Sequence, residues 1–206
     1  MNKVRVLAVA LDFDGTILDS NSLKADCFGQ IFAPFGQTSA QYATTYHFRH
    51  LSQPRRSKIS SIAQELGLNL NDRELEELSE LFGDLVLDQI LECSLVPGVS
   101  DFLEWAKDKW PLYVCSATPH GELKQILRSI GLEGYFTGVF GHPTSKEEAL
   151  DQIATSLGCS SNQVLMIGDS DADREAAINV GAGFHLVGDE PLTSYRELIL
   201  RDGMFR

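Results

Sequence analysis

Two aspartates one residue apart, Asp12 and Asp14, come directly after an apolar run that covers residues 4–11. A run of this kind is typical of a strand buried on both faces of a parallel sheet. Gly15 and Thr16 then turn the chain. Because unpaired carboxylates are costly inside a sheet, we expect both aspartates at the carboxyl end of the strand, where open α/β sheets bind their ligands. The alternative is a solvated turn, which D-G sequences often form.

The second half of the chain alternates between short apolar runs and helical patterns. Strands that alternate with helices predict a parallel sheet with right-handed crossovers. The predicted fold class is therefore α/β, with a Rossmann-like parallel sheet as its core. Strands are predicted at 112–115, 139–140, 164–167 and 184–187, with helices starting near residues 100, 118, 145 and 171.

The segment 20–94 carries little strand signal and has the periodicity of helices. A capping box that begins at Asn71 opens one helix, which then places apolar residues on one face. Another helix is predicted over 54–66. We therefore predict an all-helical domain at 20–94, inserted into an α/β core that consists of 1–19 and 95–206.

Ser116 ends a predicted strand in the sequence VCSATP. The following helix is predicted to begin with Thr118 as its cap and Pro119 in its first turn. A hydroxyl and free backbone N–H groups, including that of Ala117, would then face a bound phosphate. The alternative is an ordinary strand-to-helix junction, where serine and threonine are common.

Lys146 lies in the first turn of a predicted helix. A cation at this position opposes the helix dipole by roughly 0.3–1 kcal/mol, so local stability does not explain it. A phosphate or an aspartate nearby would explain it. The alternative is an exposed lysine whose charge is offset by Glu147 and Glu148.

Three aspartates follow the strand predicted at 164–167: Asp169, Asp171 and Asp173. Three like charges within five residues repel one another unless a cation lies among them. The spacing does not fit a calcium-binding EF-hand loop. Helix capping by Ser170 or Asp171 is the alternative, but it accounts for only one acidic residue.

These segments resemble, in order, the four motifs of the haloacid dehalogenase superfamily of Mg²⁺-dependent phosphatases. The matching features are D-F-D-G-T, a serine at a strand end, a lysine at a helix start and G-D-S-x-x-D. Within that superfamily the chain is most similar to the branch of phosphoglycolate phosphatase and β-phosphoglucomutase. That branch carries a helical cap after the first motif, so the resemblance implies that the inserted domain is a cap.

The resemblance also implies roles for the motif residues. Asp12 would be the nucleophile that becomes phosphorylated, and Asp14 would protonate the leaving group and later activate water. Mg²⁺ would be held by Asp12, the backbone carbonyl of Asp14 and Asp169. Electrostatics agrees with this Mg²⁺ assignment, because a cation lowers the repulsion between an anionic nucleophile and an anionic phosphate.

The remaining motif residues would surround this centre. Ser116, Ala117 and Lys146 would hold the phosphoryl oxygens. Asp173 would orient Lys146 or a metal-bound water, and Thr16 would support the residues that touch the substrate.

The helical insertion has a charge asymmetry of its own. No acidic residue occurs between Asp26 and Glu65, although basic residues are frequent there. A basic patch in an acidic protein is best explained by an anionic ligand, and a solvated helix face is the alternative. The candidate substrate-binding residues in this patch are Arg49, Arg55 and Lys58, accompanied by His47, His50 and Arg56.

The expected function is that of a phosphatase acting on a small phosphorylated metabolite of the phosphoglycolate or sugar-phosphate type. A phosphomutase, which shares Asp12 and Asp14 but shields the phosphoenzyme from water, is an open alternative. An inactive binding protein on the same fold is another, although the intact motifs argue against it. A dehalogenase needs no acid at position 14 and no metal, and phosphonate hydrolases lack an aspartate acid/base, so both are disfavoured.

Charge and hydropathy restrict the partners of this chain. Its net charge of −12 argues against binding nucleic acid or an anionic membrane through the overall field. Four scattered cysteines indicate neither a zinc site nor a disulfide framework. The sequence shows neither a secretory signal nor the ~18 consecutive apolar residues that span a bilayer. We expect a cytoplasmic protein that is a monomer or a weak homodimer.

Overall fold

The computed structural model describes residues 4–188 and 204–205. The chain divides into two compact units. One unit, Met1–Asp19 together with Ser94–Arg206, carries the sheet, and the other, Ser20–Cys93, is helical in its described elements.

The first unit is built on a five-stranded sheet in the order β4-β3-β2-β5-β6. Every neighbouring pair in it is parallel, which confirms the predicted α/β class. A separate antiparallel pair joins β1 to β7. The strands are β1 Val4–Arg5, β2 Ala8–Leu11, β3 Leu112–Pro119, β4 Gly138–His142, β5 Val164–Gly168, β6 Gly183–Leu186 and β7 Met204–Phe205.

Four helices connect the strands of the sheet: α5 Val99–Ala106, α6 His120–Ser129, α7 Lys146–Ser156 and α8 Asp171–Val180. From β3 to β4 the chain moves towards one edge of the sheet, whereas from β4 through β5 to β6 it moves towards the opposite edge. Since parallel crossovers are right-handed, α6 covers one face of the sheet and α7 and α8 cover the opposite face.

The core under α7 and α8 follows from the alternation of side chains along each strand. Ala8 and Ala10 of β2 and Met166 of β5 face this side, where they meet Leu150 and Ile153 of α7. All five residues are fully buried. The apolar run that precedes the two aspartates is therefore the central strand of the sheet, and one of its faces packs against α7.

The carboxyl ends of three neighbouring strands point to one edge of the sheet, where β3 extends furthest, to Pro119. Leu11, the last residue of β2, pairs with Val114 of β3 on one side and with Ile167 of β5 on the other. The residues that follow β2 and β5 and those in the last part of β3 therefore lie at this carboxyl edge, which is where α/β sheets bind ligands.

The second unit contains α1 Asn21–Phe32, α2 Gln37–Arg49, α3 Arg55–Glu65 and α4 Asp72–Gln89. The capping box predicted at Asn71 is present, and it opens α4. Helix α1 packs on α4 through Phe28 and Phe82, whose ring centroids lie 4.3 Å apart. Within the described part of the chain, no helix combines the length and apolarity that crossing a membrane requires.

Candidate active site

Asp12 follows β2 directly and is 5% exposed. Its backbone N–H donates to the carbonyl of Ile167 at 2.8 Å, which ties it to the end of β5. The chain then turns at Gly15, whose φ of 76° favours glycine. The Gly15 N–H donates to the carbonyl of Leu18 at 2.8 Å, and this turn holds Asp14 beside the strand end.

Lys146 is the first residue of α7 and is 9% exposed. Ser145 caps the helix in a capping box with Glu148, so backbone geometry fixes the point from which the lysine extends. Its Nζ lies 3.0 Å from Oδ1 of Asp12 and donates a hydrogen bond to Asp173. The structure thus places Lys146 among carboxylates rather than at an exposed helix end.

Asp173 is fully buried on α8. Beyond its bond to Lys146, it accepts hydrogen bonds from Ser170 through the backbone N–H at 3.1 Å and Oγ at 2.6 Å. Gly168, the last residue of β5, makes room for it, since a Cβ added there would lie 2.3 Å from Asp173 Cγ. The Asp173 side chain therefore packs directly against the backbone of the strand end.

The three aspartates that follow β5 separate into two environments. Carboxylate oxygens of Asp169, Asp173 and Asp12 lie within 4.8 Å of one another. Asp171 lies outside this group: its side chain is 84% exposed and pairs with Arg174 at 3.4 Å. The expectation that all three acids crowd together is therefore wrong for Asp171, which occupies the first turn of α8.

The acidic cluster changes the protonation equilibrium of its members. Burial raises the pKa of the Asp12 carboxyl well above its ordinary value, Asp173 raises it further, and Lys146 lowers it. Asp169 and Asp14 also raise this pKa. For Lys146, burial alone would lower the pKa, but the charges and hydrogen bonds of Asp12 and Asp173 outweigh it and hold the pKa above its usual range.

The cluster has the chemistry of a site for a hard divalent cation. All its side-chain ligand atoms are carboxylate oxygens, the type that Mg²⁺ prefers. Burial is the main cause of the raised pKa of Asp12, and the neighbouring carboxylates raise that pKa further. A bound cation would relieve the repulsion among these carboxylates. Asp173 accepts hydrogen bonds from Lys146 and Ser170, and Asp12 lies 3.0 Å from the same ammonium.

Ser116 lies in β3, is 3% exposed, and accepts a hydrogen bond from the Thr118 N–H at 3.1 Å. Ala117 lies between them and is partly exposed. The prediction that Thr118 caps α6 is wrong: β3 continues to Pro119, which is the N-cap, and no side chain caps the helix. Thr118 Oγ1 instead donates to Oδ2 of Asp14 at 3.0 Å.

Thr118 is thus a site residue that the sequence reasoning missed. The indication that could have found it is the spacing of Ser116 and Thr118, two hydroxyl residues at alternate positions of a strand end. Alternate strand positions share a face. Asp12 and Asp14, which the sequence marks as candidate catalytic residues, have the same spacing.

Thr16 lies in the turn after Asp14 and is fully buried. Among the described residues, its Oγ1 has no hydrogen-bond partner. The side chain is close in sequence to the acidic cluster, but the structure gives it no contact that assigns it a role.

The basic residues of the helical unit have different environments. Lys58 is 2% exposed, and its Nζ lies 3.0 Å from His47 Nδ1 and 3.3 Å from the carbonyl of Leu51. Arg49 is exposed at the end of α2. Arg55 is partly buried, donates to the carbonyl of Ser79 and lies over the ring of Phe82 at 4.8 Å.

Arg56 differs from the other basic residues of this segment. It is bound by two acidic side chains of α4, Asp72 at 2.9 Å and Glu76 at 3.0 Å. Part of the positive charge of the acid-free segment is therefore balanced inside the helical unit.

Fold and sequence together identify the class of this protein. Residues 6–181 match the family model described as haloacid dehalogenase-like hydrolase. The chain belongs to this family, and the predictions of the family and of a hydrolytic enzyme are confirmed.

The chain is similar in sequence to one known enzyme and in fold to several solved structures. It is 28% identical, over 179 residues, to a phosphoglycolate phosphatase of Synechococcus elongatus, covering 84% of this chain and 80% of that protein. The fold is similar to that of a β-phosphoglucomutase from Clostridium difficile, with a TM-score of 0.77 and 17% identity over 94% of this chain and 87% of that one. A crystal structure described as a predicted phosphoglycolate phosphatase from Haemophilus somnus has a TM-score of 0.70 and 19% identity, covering 94% of this chain and 92% of that one.

Proposed function

We propose that this hydrolase is a Mg²⁺-dependent phosphatase that forms an aspartyl phosphate on Asp12. The observation that carries the proposal is the position of Asp12 at the carboxyl end of the central strand, 3.0 Å from the Lys146 ammonium and beside Asp169. A carboxylate held between a buried cation and a second carboxylate can serve both as nucleophile and as metal ligand.

In the first half of the reaction, an Asp12 carboxylate oxygen attacks the phosphorus atom. A new P–O bond forms to Asp12 as the bond from phosphorus to the leaving oxygen breaks. Asp14 gives its proton to that oxygen, so the leaving group departs as a neutral alcohol. The products of this half are the aspartyl phosphate and a deprotonated Asp14.

In the second half, water hydrolyses the aspartyl phosphate. Asp14 takes a proton from the attacking water, whose oxygen bonds to phosphorus as the bond to Asp12 breaks. Inorganic phosphate leaves, and the Asp12 carboxylate and the protonated Asp14 are regenerated. One group thus acts first as acid and then as base.

The other residues bind the phosphoryl group and maintain the geometry. Lys146, whose raised pKa keeps it protonated, donates to a phosphoryl oxygen. Ser116 and the backbone N–H of Ala117 donate to the others. Asp173 holds Lys146 in place through the hydrogen bond that it accepts from the ammonium.

Mg²⁺ would be held by Asp12, Asp169 and the backbone carbonyl of Asp14. When bound, it would neutralise part of the negative charge that the carboxylate nucleophile and the phosphate share. The oxygen-only donor set supports this assignment.

The substrate is proposed to be a small phosphorylated metabolite of the phosphoglycolate or sugar-phosphate type. The support is the similarity to a phosphoglycolate phosphatase over 84% of this chain. We propose further that the helical unit 20–94 acts as the cap, with Arg49, Arg55 and Lys58 binding the leaving group.

The test is release of inorganic phosphate from a panel of phosphorylated metabolites in the presence of Mg²⁺. Asp12→Asn should reduce kcat at least a thousandfold, a change of about 4 kcal/mol in the barrier. Asp171→Asn is the matched control, because Asp171 is exposed and outside the cluster, and it should retain activity. Asp12→Asn within tenfold of the wild type would refute the assignment, and isomerised sugar phosphate without phosphate release would identify a mutase instead.

A further inference from the structure

A hydroxyl group contacts the proposed acid/base directly. Thr118 Oγ1 donates a hydrogen bond of 3.0 Å to Oδ2 of Asp14. Thr118 is 5% exposed and Asp14 is partly exposed, so the bond is partly buried. A hydrogen bond of this kind is stronger and more directional than one at the surface, and it restricts rotation of the Asp14 carboxyl.

The backbone that carries this hydroxyl is itself closely packed. Gly141 of β4 approaches the end of β3 so tightly that an added Cβ would lie 2.6 Å from the Thr118 carbonyl oxygen and 2.7 Å from His120 Cα. The pairing of β3 with β4 is irregular between Cys115 and Pro119, the stretch that includes Thr118. Such irregularities re-aim side chains next to active sites. Two strands therefore fix the point from which the Thr118 side chain reaches Asp14.

A second hydrogen bond fixes the same residue. The backbone N–H of Thr118 donates to Ser116 Oγ at 3.1 Å. The proposed phosphate-binding serine and the threonine that contacts Asp14 are thus coupled through one short stretch of β3. Replacing the Thr118 side chain leaves this backbone bond available, so the effect of the hydroxyl can be tested separately.

We propose that Thr118 is the positioning residue of the acid/base: its hydroxyl engages Oδ2 of Asp14 and so presents Oδ1 for proton exchange with the leaving oxygen. This inference rests on the proposed function, because it assigns Asp14 the proton transfer. Thr118 itself exchanges no proton with the substrate. Its contribution is to keep the transferring oxygen at the distance and angle that the reaction requires.

The dependence on the leaving group tests the inference. An alkyl phosphate needs a proton on its leaving oxygen, whereas p-nitrophenyl phosphate releases a stable anion and needs little acid assistance. Thr118→Val, which keeps the shape but removes the hydroxyl, should lower kcat/KM for the best alkyl phosphate of the panel by about ten- to a hundredfold. It should lower kcat/KM for p-nitrophenyl phosphate less than threefold, because release of that leaving group hardly depends on the proton of Asp14. Thr118→Ser should restore the alkyl phosphate activity.

A double-mutant cycle separates positioning from a general structural effect. In an Asp14→Asn background, Thr118→Val should cause no further loss for the alkyl phosphate, because the group through which Thr118 acts is gone. Thr118→Ala also removes the hydroxyl and leaves a smaller side chain. It must likewise lower kcat/KM much more for the alkyl phosphate than for p-nitrophenyl phosphate, so the inference stays testable if the valine variant does not fold.

The outcomes are distinct. Equal losses on both substrates, a further loss from Thr118→Val on top of the residual activity of Asp14→Asn, or full activity in Thr118→Val and Thr118→Ala would overturn the role of Thr118 while Asp14→Asn kept its own large loss of activity. An active Asp14→Asn enzyme on the alkyl phosphate, or a wild type without phosphate release, would refute the proposed function and this inference with it.

Discussion

The ammonium of Lys146 lies 3.0 Å from Oδ1 of Asp12, although one begins a helix and the other ends the central strand. Asp173 accepts a hydrogen bond from the same ammonium. Two carboxylates and one ammonium therefore share a buried volume at the carboxyl edge of the sheet. Removing one member of such a group leaves an uncompensated charge where little water reaches it. Substitution of any member should therefore change the free energy of unfolding measurably.

Asp173→Ala is expected to destabilise the protein by about 3 kcal/mol, because it removes a hydrogen-bonded partner of the buried ammonium. The free energy of unfolding in urea measures this. Asp171→Ala, two residues earlier and exposed, should change stability by less than about 0.5 kcal/mol. Equal effects of the two substitutions would mean that the contact with Lys146 contributes nothing beyond helix capping.

Gly168→Ala should displace Asp173, because the new Cβ would lie 2.3 Å from Asp173 Cγ. We expect a loss of about 1–3 kcal/mol of stability together with lower kcat, since Lys146 moves with its partner. Gly121→Ala is the control, because nothing lies within 4 Å of a Cβ there. Unchanged thermal unfolding and kcat in the Gly168 variant would show that Asp173 can shift without consequence.

Turnover is expected to require a divalent cation, since the carboxylates of Asp12, Asp169 and Asp173 otherwise repel one another. A chelator should stop phosphate release, and Mg²⁺ should restore it. Mg²⁺ at a hundred times its dissociation constant should stabilise the wild type by about 2.7 kcal/mol. Asp169→Asn should reduce this stabilisation at the same concentration, and Asp171→Asn should not. Full turnover in excess chelator would rule out the metal-assisted mechanism.

At least one of Arg49→Ala, Arg55→Ala and Lys58→Ala should lower kcat/KM for the true substrate, because these residues are proposed to bind its leaving group. A small aryl phosphate should be affected much less, since it cannot use the contact. Arg56→Ala provides a matched control from the same helix as Arg55, because its charge is already held by Asp72 and Glu76. Equal effects on both substrates, or no effect from any of the three substitutions, would show that these basic residues form an ordinary solvated surface rather than a substrate-binding patch.

The sequence was sufficient for the parallel sheet and for the carboxyl ends of β2 and β5, because both depend on local patterns. Apolar runs interrupted by aspartate, serine or glycine mark where a buried strand reaches the ligand-binding edge. The same patterns predict that Asp12, Ser116 and Asp169 lie at one edge of the sheet. It also placed the capping box of α4 correctly.

The sequence was insufficient wherever a distant element determines the local structure. Thr118 followed by Pro119 is typical of a helix start, but pairing of Pro119 with His142 of β4 extends β3 instead. The sequence alone does not distinguish Asp171 from Asp173, because both are acidic residues shortly after β5. Both lie in α8, where residues two apart point about 200° away from each other, so only one reaches the cluster. Neither outcome follows from local spacing.

Trapping the phosphorylated enzyme tests the central claim most directly. Asp14→Asn mixed with p-nitrophenyl phosphate and Mg²⁺ should accumulate phosphoenzyme, because the leaving group departs unaided while water activation is impaired. After acid quenching, peptide mass spectrometry should place a hydroxylamine-labile phosphoryl group on Asp12, and Asp12→Asn should abolish it. Phosphoryl on another residue, or one that persists in Asp12→Asn, would contradict the account.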